Sequence, residues 1–277
     1  MKFSKWQGCG NDFVLIDGRE ADIDDFPRLA RRLTDRHYGV GGDGILVVLP
    51  SEKADFRMRI FNSDGSEAEM CGNGIRCFAR FLYESGATDK KEFTVETGAG
   101  VLTPKLIFEG DKVSLVRVDM GEPHLNGEEI PVVGFDGRRV INAPIKVAAQ
   151  DYRMTCVSMG NPHCVVFVED LRQSRYEILG SSFETHELFP KNTNAEFVEV
   201  IDREHLKMGV WERGTGLTLA CGTGACAVLV AAVLNDKSER EAEIELPGGK
   251  LRIEWAADNH VYMTGPAEQV FTGELTT

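Results

Sequence analysis

The chain lacks any run of about 18 or more apolar residues, so no helix that crosses a membrane is expected. Its first residues, MKFSKWQGCGNDF, lack the apolar core of a secretory leader. Basic residues are in deficit: 31 Lys and Arg stand against 44 Asp and Glu, for a net charge of −13 and a pI near 5.0. That argues against nucleic acid, whose binding rests on Lys and Arg neutralising phosphates. There is no C-x-x-C pair among the seven cysteines. The closest spacings, Cys71 to Cys77 and Cys221 to Cys226, are wider than those of structural zinc sites, so no metal is expected. An odd cysteine count without a leader points to reduced thiols. These absences describe a soluble cytoplasmic protein whose partner is a small molecule, not nucleic acid or a membrane.

What is present is a chain written twice. The 277 residues, 42% apolar and 27% charged, suffice for one large domain or two ordinary ones. "CGNG" at 71–74 returns as "CGTG" at 221–224, an offset of 150. "GN" at 10–11 returns at 160–161, and "TGAG" at 97–100 aligns with "PGGK" at 247–250, both at the same offset. Glycine tetrads recur by chance in a chain with 29 glycines, but three matches in one order at one offset point to two similar halves.

The predicted elements follow the repeat. Each half opens on strand-like text, "DFVLID" (12–17) and "HCVVFVED" (163–170), followed by helix-like "FPRLARRLTDRH" (26–37) and "DLRQSRYEILGSSF" (170–183). A strand leads to each cysteine, "FRMRIFN" (56–62) and "HLKMGVWE" (205–212), and β-rich text with glycine turns closes each half. After Cys71, the residues Ile75, Phe78, Ala79 and Leu82 keep helical spacing, with Arg76 and Arg80 as a polar stripe and Gly86 as the stop. After Cys221, "ACAVLVAAVL" is apolar all round, which predicts a buried helix.

A cysteine at a helix start lies near the positive end of the helix dipole and near unpaired N–H groups, which favour thiolate. The glycines after it let a ligand approach the backbone, where a carboxylate can be held. Two such corners facing each other across one cleft could remove a proton from one face of a carbon and return one to the other. The plain alternative for any one cysteine is an inert buried thiol. That reading suits Cys9, Cys77, Cys156, Cys164 and Cys226, whereas the repeat and the glycines single out Cys71 and Cys221.

Taken with these motifs, the sequence resembles the diaminopimelate epimerase family, cofactor-independent epimerases of lysine and peptidoglycan precursor synthesis. The matching segments are "GCGNDFVLID", "GVGGDGILV", "FNSDGSEAEMCGNGIRCFARF", "SMGNPHCVVFVED", "NTNAEFVEV" and "VWERGTGLTLACGTGACA". The resemblance implies an α+β fold of two pseudo-symmetric lobes, each a mainly antiparallel sheet wrapped around a central helix. It places one lobe at 1–121 plus 266–277, the other at 122–265, and the active site in the cleft between them. It implies a homodimer, no cofactor, and Cys71 and Cys221 as the two bases.

By the same resemblance, the reacting carboxylate lies on the N–H groups of Gly72, Asn73, Gly222 and Thr223. Asn11, Asn62, Asn161 and Asn194 hydrogen-bond the amino-acid ends. Glu212 and Arg213 bind the distal centre, and His163 with Glu212 tunes the thiols. Read alone, Asn62 and Asn194 are turn residues, Glu212–Arg213 a solvated strand end and His163 a structural histidine. Some relatives carry glutamine where this chain has Gly44, which puts that contact in doubt here. A proline-racemase-like or hydroxyproline-epimerase-like enzyme of the same fold is the alternative activity, and a β-rich binding module with buried cysteines is the non-enzymatic one.

Overall fold

The computed structural model describes residues 1–19 and 23–275. The chain divides into two compact units, one of Met1–Asp119 with the segment from Thr264 on, the other of Met120–Met263. Residues 276 and 277, the end of the expected return segment, lie outside the described residues.

The first unit runs β1 (Lys2–Gly8), β2 (Asn11–Asp17), α1 (Phe26–Thr34), β3 (Gly44–Leu49), β4 (Phe56–Asn62), β5 (Glu67–Ala68), α2 (Gly72–Glu84), β6 (Val95–Thr97), β7 (Gly100–Leu102), β8 (Lys105–Glu109) and β9 (Lys112–Asp119). The second runs β10 (Ala143–Val147), β11 (Gln150–Ser158), β12 (Pro162–Val168), α3 (Tyr176–Glu184), β13 (Asn194–Val200), β14 (His205–Glu212), β15 (Gly216–Leu217), α4 (Gly222–Leu234), β16 (Glu241–Leu246), β17 (Gly249–Trp255) and β18 (Val261–Gly265). A last strand, β19 (Glu268–Glu274), returns to the first unit.

In the first unit the strand order is β19-β1-β2-β3-β4-β6-β7, with β5 on β4. In the second it is β10-β11-β12-β13-β14-β16-β17-β18, with β15 on β14. Antiparallel pairs dominate, but each unit has two parallel steps at matching places: β2 on β3 and β4 on β6, then β12 on β13 and β14 on β16. The helices keep the sequence offset of 150 residue for residue, α1 to α3 and α2 to α4.

The text of the central strands follows from burial on both faces. In β2 and β3, Val14, Ile16, Ile45 and Val47 join Ala30 and Leu33 of α1 in one core cluster. Phe13 and Leu46 point the other way, to the start of α2. With helices on both sides, these strands read as unbroken apolar runs rather than alternating ones. In the second unit, α4 packs against β11, β12, β13, β16 and β17, which accounts for its lack of a polar face.

Two expectations are corrected. Arg76 does not belong to an exposed polar stripe: its side chain is fully buried. It donates to the carbonyls of Gly72 (2.9 Å) and Pro266 (3.0 Å), pinning α2 to the returning segment. The helix expected over 170–183 is broken. A 3-10 turn at Leu171–Gln173 ends before Arg175, whose left-handed φ of 56° redirects the chain into α3. Among the described residues no helix is long and apolar enough to cross a membrane.

Candidate active site

Cys71 is the N-cap of α2, with extended backbone and its Sγ accepting from the Gly74 N–H at 3.4 Å. Sulfur here takes the role usually held by a Ser or Asp oxygen. The S–H reaches Asn11 Oδ1 at 3.6 Å, and Asn73 Nδ2 donates to the same oxygen at 3.2 Å. Asn11 in turn donates from Nδ2 to Asp43 at 2.7 Å. Asp43, which lies between the glycines of "GGDG", thus orients the Asn11 amide with its oxygen toward Cys71.

A charge network stands behind this corner. Arg36 bridges Asp43 (2.9 Å) and Asp12 (2.8 Å), and Asp12 also pairs with the buried Lys5 at 2.6 Å. Burial pushes the Asp12 carboxyl up, but Arg36 and Lys5 outweigh it and hold it at about 2. Asn62 stands apart from this cluster: it is exposed and donates to Ser66 Oγ at 3.0 Å within the β4–β5 turn. Opposite Asn62 in the ladder is Gly44, where a Cβ would lie 2.7 Å from the Phe61 carbonyl oxygen. The backbone spacing leaves no room for a side chain there, so Gly44 supplies no side-chain contact.

The second unit repeats the corner. Cys221 is the N-cap of α4, and its Sγ accepts from the Gly224 N–H, again at 3.4 Å. Ala225 N–H bonds the Cys221 carbonyl, while the N–H groups of Gly222 and Thr223 have no partner among the described residues. These two donors make a place for a carboxylate. The surrounding side chains differ from those at Cys71. Thr223 Oγ1 is 3.5 Å from the sulfur, Asn161 Nδ2 donates to Thr223 Oγ1 at 3.3 Å, and Asn161 Oδ1 meets His163 Nε2 at 3.0 Å. The other ring nitrogen of His163 meets Glu196 Oε1 at 2.6 Å.

Asn194 is buried and engaged at both ends of its amide, donating to Pro162 O at 2.8 Å and accepting from Arg213 N at 2.9 Å. It thereby holds the backbone from which Arg213 projects. The Arg213 guanidinium is exposed; among the described residues it meets only the Lys191 carbonyl, at 3.3 Å, and no carboxylate. Glu212 accepts from the Thr218 hydroxyl, and burial pushes its carboxyl up.

Thiolate was the expected form at both helix starts; at Cys221 the balance is reversed. Burial is the largest cause, followed by the nearby Glu212 and Glu196 carboxylates, and together they push this thiol well up. The Thr223 hydroxyl and the Gly224 N–H pull the other way without prevailing. Cys221 therefore rests as a thiol. The remaining cysteines are buried, and burial pushes the Cys77 thiol up to about 12, which leaves it unreactive.

Two residues of these corners, Asp43 and Glu196, were not picked out by sequence reasoning. Glu196 left a signal: a lone acid inside "NAEFV", a strand segment otherwise apolar enough to be buried on both faces. Asp43 left none beyond its flanking glycines.

The family model described as diaminopimelate epimerase matches residues 3–126 and 155–270. A diaminopimelate epimerase from Desulfitobacterium hafniense is 56% identical, covering 99% of this chain and 98% of its own. One from Moorella thermoacetica is 55% identical over 99% of both chains. Among solved structures, a PhzF-family phenazine biosynthesis protein from Bacillus anthracis superposes with a TM-score of 0.72 at 18% identity, covering 100% of this chain and 99% of that one. A probable proline racemase from Agrobacterium radiobacter gives 0.70 at 13% identity, covering 99% and 92%. At such identities these two speak for the fold alone. The relatives that share more than half of its residues from end to end, and a model matched on both sides of the repeat, place this chain in the diaminopimelate epimerase family.

Proposed function

We propose that the protein epimerises L,L-diaminopimelate to meso-diaminopimelate, without PLP, by a two-base mechanism in which Cys71 and Cys221 act on opposite faces of one α-carbon. The observation that carries the mechanism is the repeated corner: two cysteines, 150 residues apart, each capping a helix through its own sulfur with the same 3.4 Å contact. A thiolate on one takes the α-proton, so that a C–H bond breaks and an S–H bond forms. The thiol on the other gives its proton to the opposite face. Atoms balance, the centre is inverted, and the sulfurs exchange protonation states. The N–H groups of Gly72, Asn73, Gly222 and Thr223 hold the carboxylate and spread the charge of the carbanion. Cys221, held as a thiol, starts as the acid in the free enzyme.

Arg213 favours this reading over a ring imino acid. An exposed guanidinium without a carboxylate suits a substrate with a second charged end, with Glu212 facing its ammonium. Solvent-deuterium exchange tests it: incorporation into L,L-diaminopimelate and not into proline is expected, and incorporation into proline alone overturns it. The same reading includes a homodimer, to be checked as twice the chain mass by light scattering.

A further inference from the structure

We propose that Glu196 is a positioning residue for Cys221: it anchors the His163 ring through Nδ1 so that Nε2 meets the Asn161 amide, and this turns the Asn161 amide and the Thr223 hydroxyl toward the Cys221 sulfur. The inference rests on the reading of Cys221 as an acid/base group. The four links lie in one line: Glu196 Oε1 to His163 Nδ1 at 2.6 Å, His163 Nε2 to Asn161 Oδ1 at 3.0 Å, Asn161 Nδ2 to Thr223 Oγ1 at 3.3 Å, and Thr223 Oγ1 to Cys221 Sγ at 3.5 Å.

Hydrogen accounting gives this line a direction. An amide oxygen accepts only, so Nε2 must carry a hydrogen to bond Asn161 Oδ1. The Asn161 NH2 then faces Thr223 Oγ1 as donor, and the threonine's own hydrogen is left for the sulfur. Glu196 Oε1, 2.6 Å from Nδ1, holds the ring from its far side. A ring free to turn would leave the Asn161 amide free to turn over, Thr223 would donate to Asn161, and the sulfur would lose its donor. A hydroxyl donating to Cys221 favours its thiolate at the moment of proton transfer, against the burial and the carboxylates that hold it as a thiol.

The first unit shows that the fold does not require this pair. At the offset of 150, His163 corresponds to Phe13 and Glu196 to Leu46, and Phe13 and Leu46 pack beside Gly74 at the start of α2. The same niche is thus filled by two apolar side chains in one unit and by a fully buried ion-pair geometry in the other. A buried pair of this kind is a poor source of stability compared with apolar packing. Glu196 Oε2, moreover, has no hydrogen-bond partner among the described residues. A costly group in a place where leucine serves is a sign of chemistry. The other titratable groups around it are Glu212, Cys221 and Cys164.

Glu196→Leu places at this position the residue that the first unit has there and removes the anchor at Nδ1, whereas the amide of Glu196→Gln can still bond Nδ1. Nitrogen-15 NMR of histidine-labelled full-length protein reads the ring directly. The His163 signal is assigned by its loss in the His163→Phe/Glu196→Leu double variant, which rebuilds the Phe13–Leu46 pair and is expected to fold. Wild type should show one sharp hydrogen-bearing Nε2 signal, which Glu196→Leu should shift or broaden and Glu196→Gln should largely keep. In steady state Glu196→Leu should lower kcat about tenfold and leave KM within about twofold, with Glu196→Gln recovering most of the loss, since the effect lies on proton transfer and not on binding. An unchanged ring spectrum, or an unchanged kcat, in Glu196→Leu overturns the proposal. If the wild type does not turn over diaminopimelate, the functional reading fails, while the ring spectrum still decides whether Glu196 anchors His163.

Discussion

Glu196 Oε1 lies 2.9 Å from the point where a side chain on Gly224 would begin. The Cys221 sulfur is 3.2 Å from that same point, so the glycine after "CGT" is the space through which the carboxylate reaches the head of α4. In the first unit the equivalent Gly74 meets a leucine methyl of Leu46 at 3.1 Å instead. Gly224→Ala should therefore destabilise by about 1–3 kcal/mol through overpacking. Gly74→Ala, where a methyl can yield and alanine favours the helix, should stay within about 1 kcal/mol. Urea unfolding of both variants checks the contrast; equal losses would mean that Glu196 moves aside freely.

Each cysteine is expected to be indispensable on its own. Cys71→Ala and Cys221→Ala should each lower epimerisation by at least about a hundredfold, the usual range for a lost acid/base group. Both variants should unfold close to wild type. Near-normal turnover by either one excludes a two-base mechanism.

The direction of the Cys221 shift makes a prediction about pH. A thiol held up by burial and by Glu212 gives little thiolate near neutrality, so its alkylation by iodoacetamide should rise only in alkaline solution. Glu212→Gln removes a like charge and should move that onset to lower pH. Peptide mass spectrometry resolves Cys221 from the other six cysteines. An onset unmoved by Glu212→Gln would mean that burial alone sets the thiol.

Acid stability follows from Asp12. Its folded value near 2 lies below the ordinary value of about 3.9, so its contribution, about 2 kcal/mol, is fully present above about pH 4. It is lost as the pH falls through about 2. Asp12→Asn should forfeit that stability at neutral pH, more so because Lys5 is left buried without its partner, and should flatten the acid limb of the unfolding curve. A wild-type acid limb that persists unchanged in Asp12→Asn would remove Asp12 from the account.

The repeat was legible because it is carried by glycines and cysteines, residues whose placement the backbone dictates. The spacing that relates Cys71 to Cys221 also relates α1 to α3 and β3 to the start of β13. Pairing direction was not legible: β2 and β3 are apolar whichever way they run, and only the crossover through α1 makes them parallel. Arg76 looked solvent-facing because a helical wheel cannot know that a segment some 190 residues later will present carbonyls to it. The Cys221 thiol was misjudged for a related reason. Dipole and N–H contacts are local and readable, whereas Glu196 and Glu212 arrive from other strands.

The returning strand β19 bears on the order in which the chain is made. It pairs along β1 from Lys2 opposite Glu274 to Gln7 opposite Glu268, and Arg76 waits for the Pro266 carbonyl. The second unit is one continuous stretch from Met120 to Met263, whereas the first waits for the segment from Thr264 on. The first unit is synthesised first yet completed last, with β1 an open sheet edge until residues 268–274 arrive. Until then β1 offers its unpaired N–H and C=O groups to any other strand.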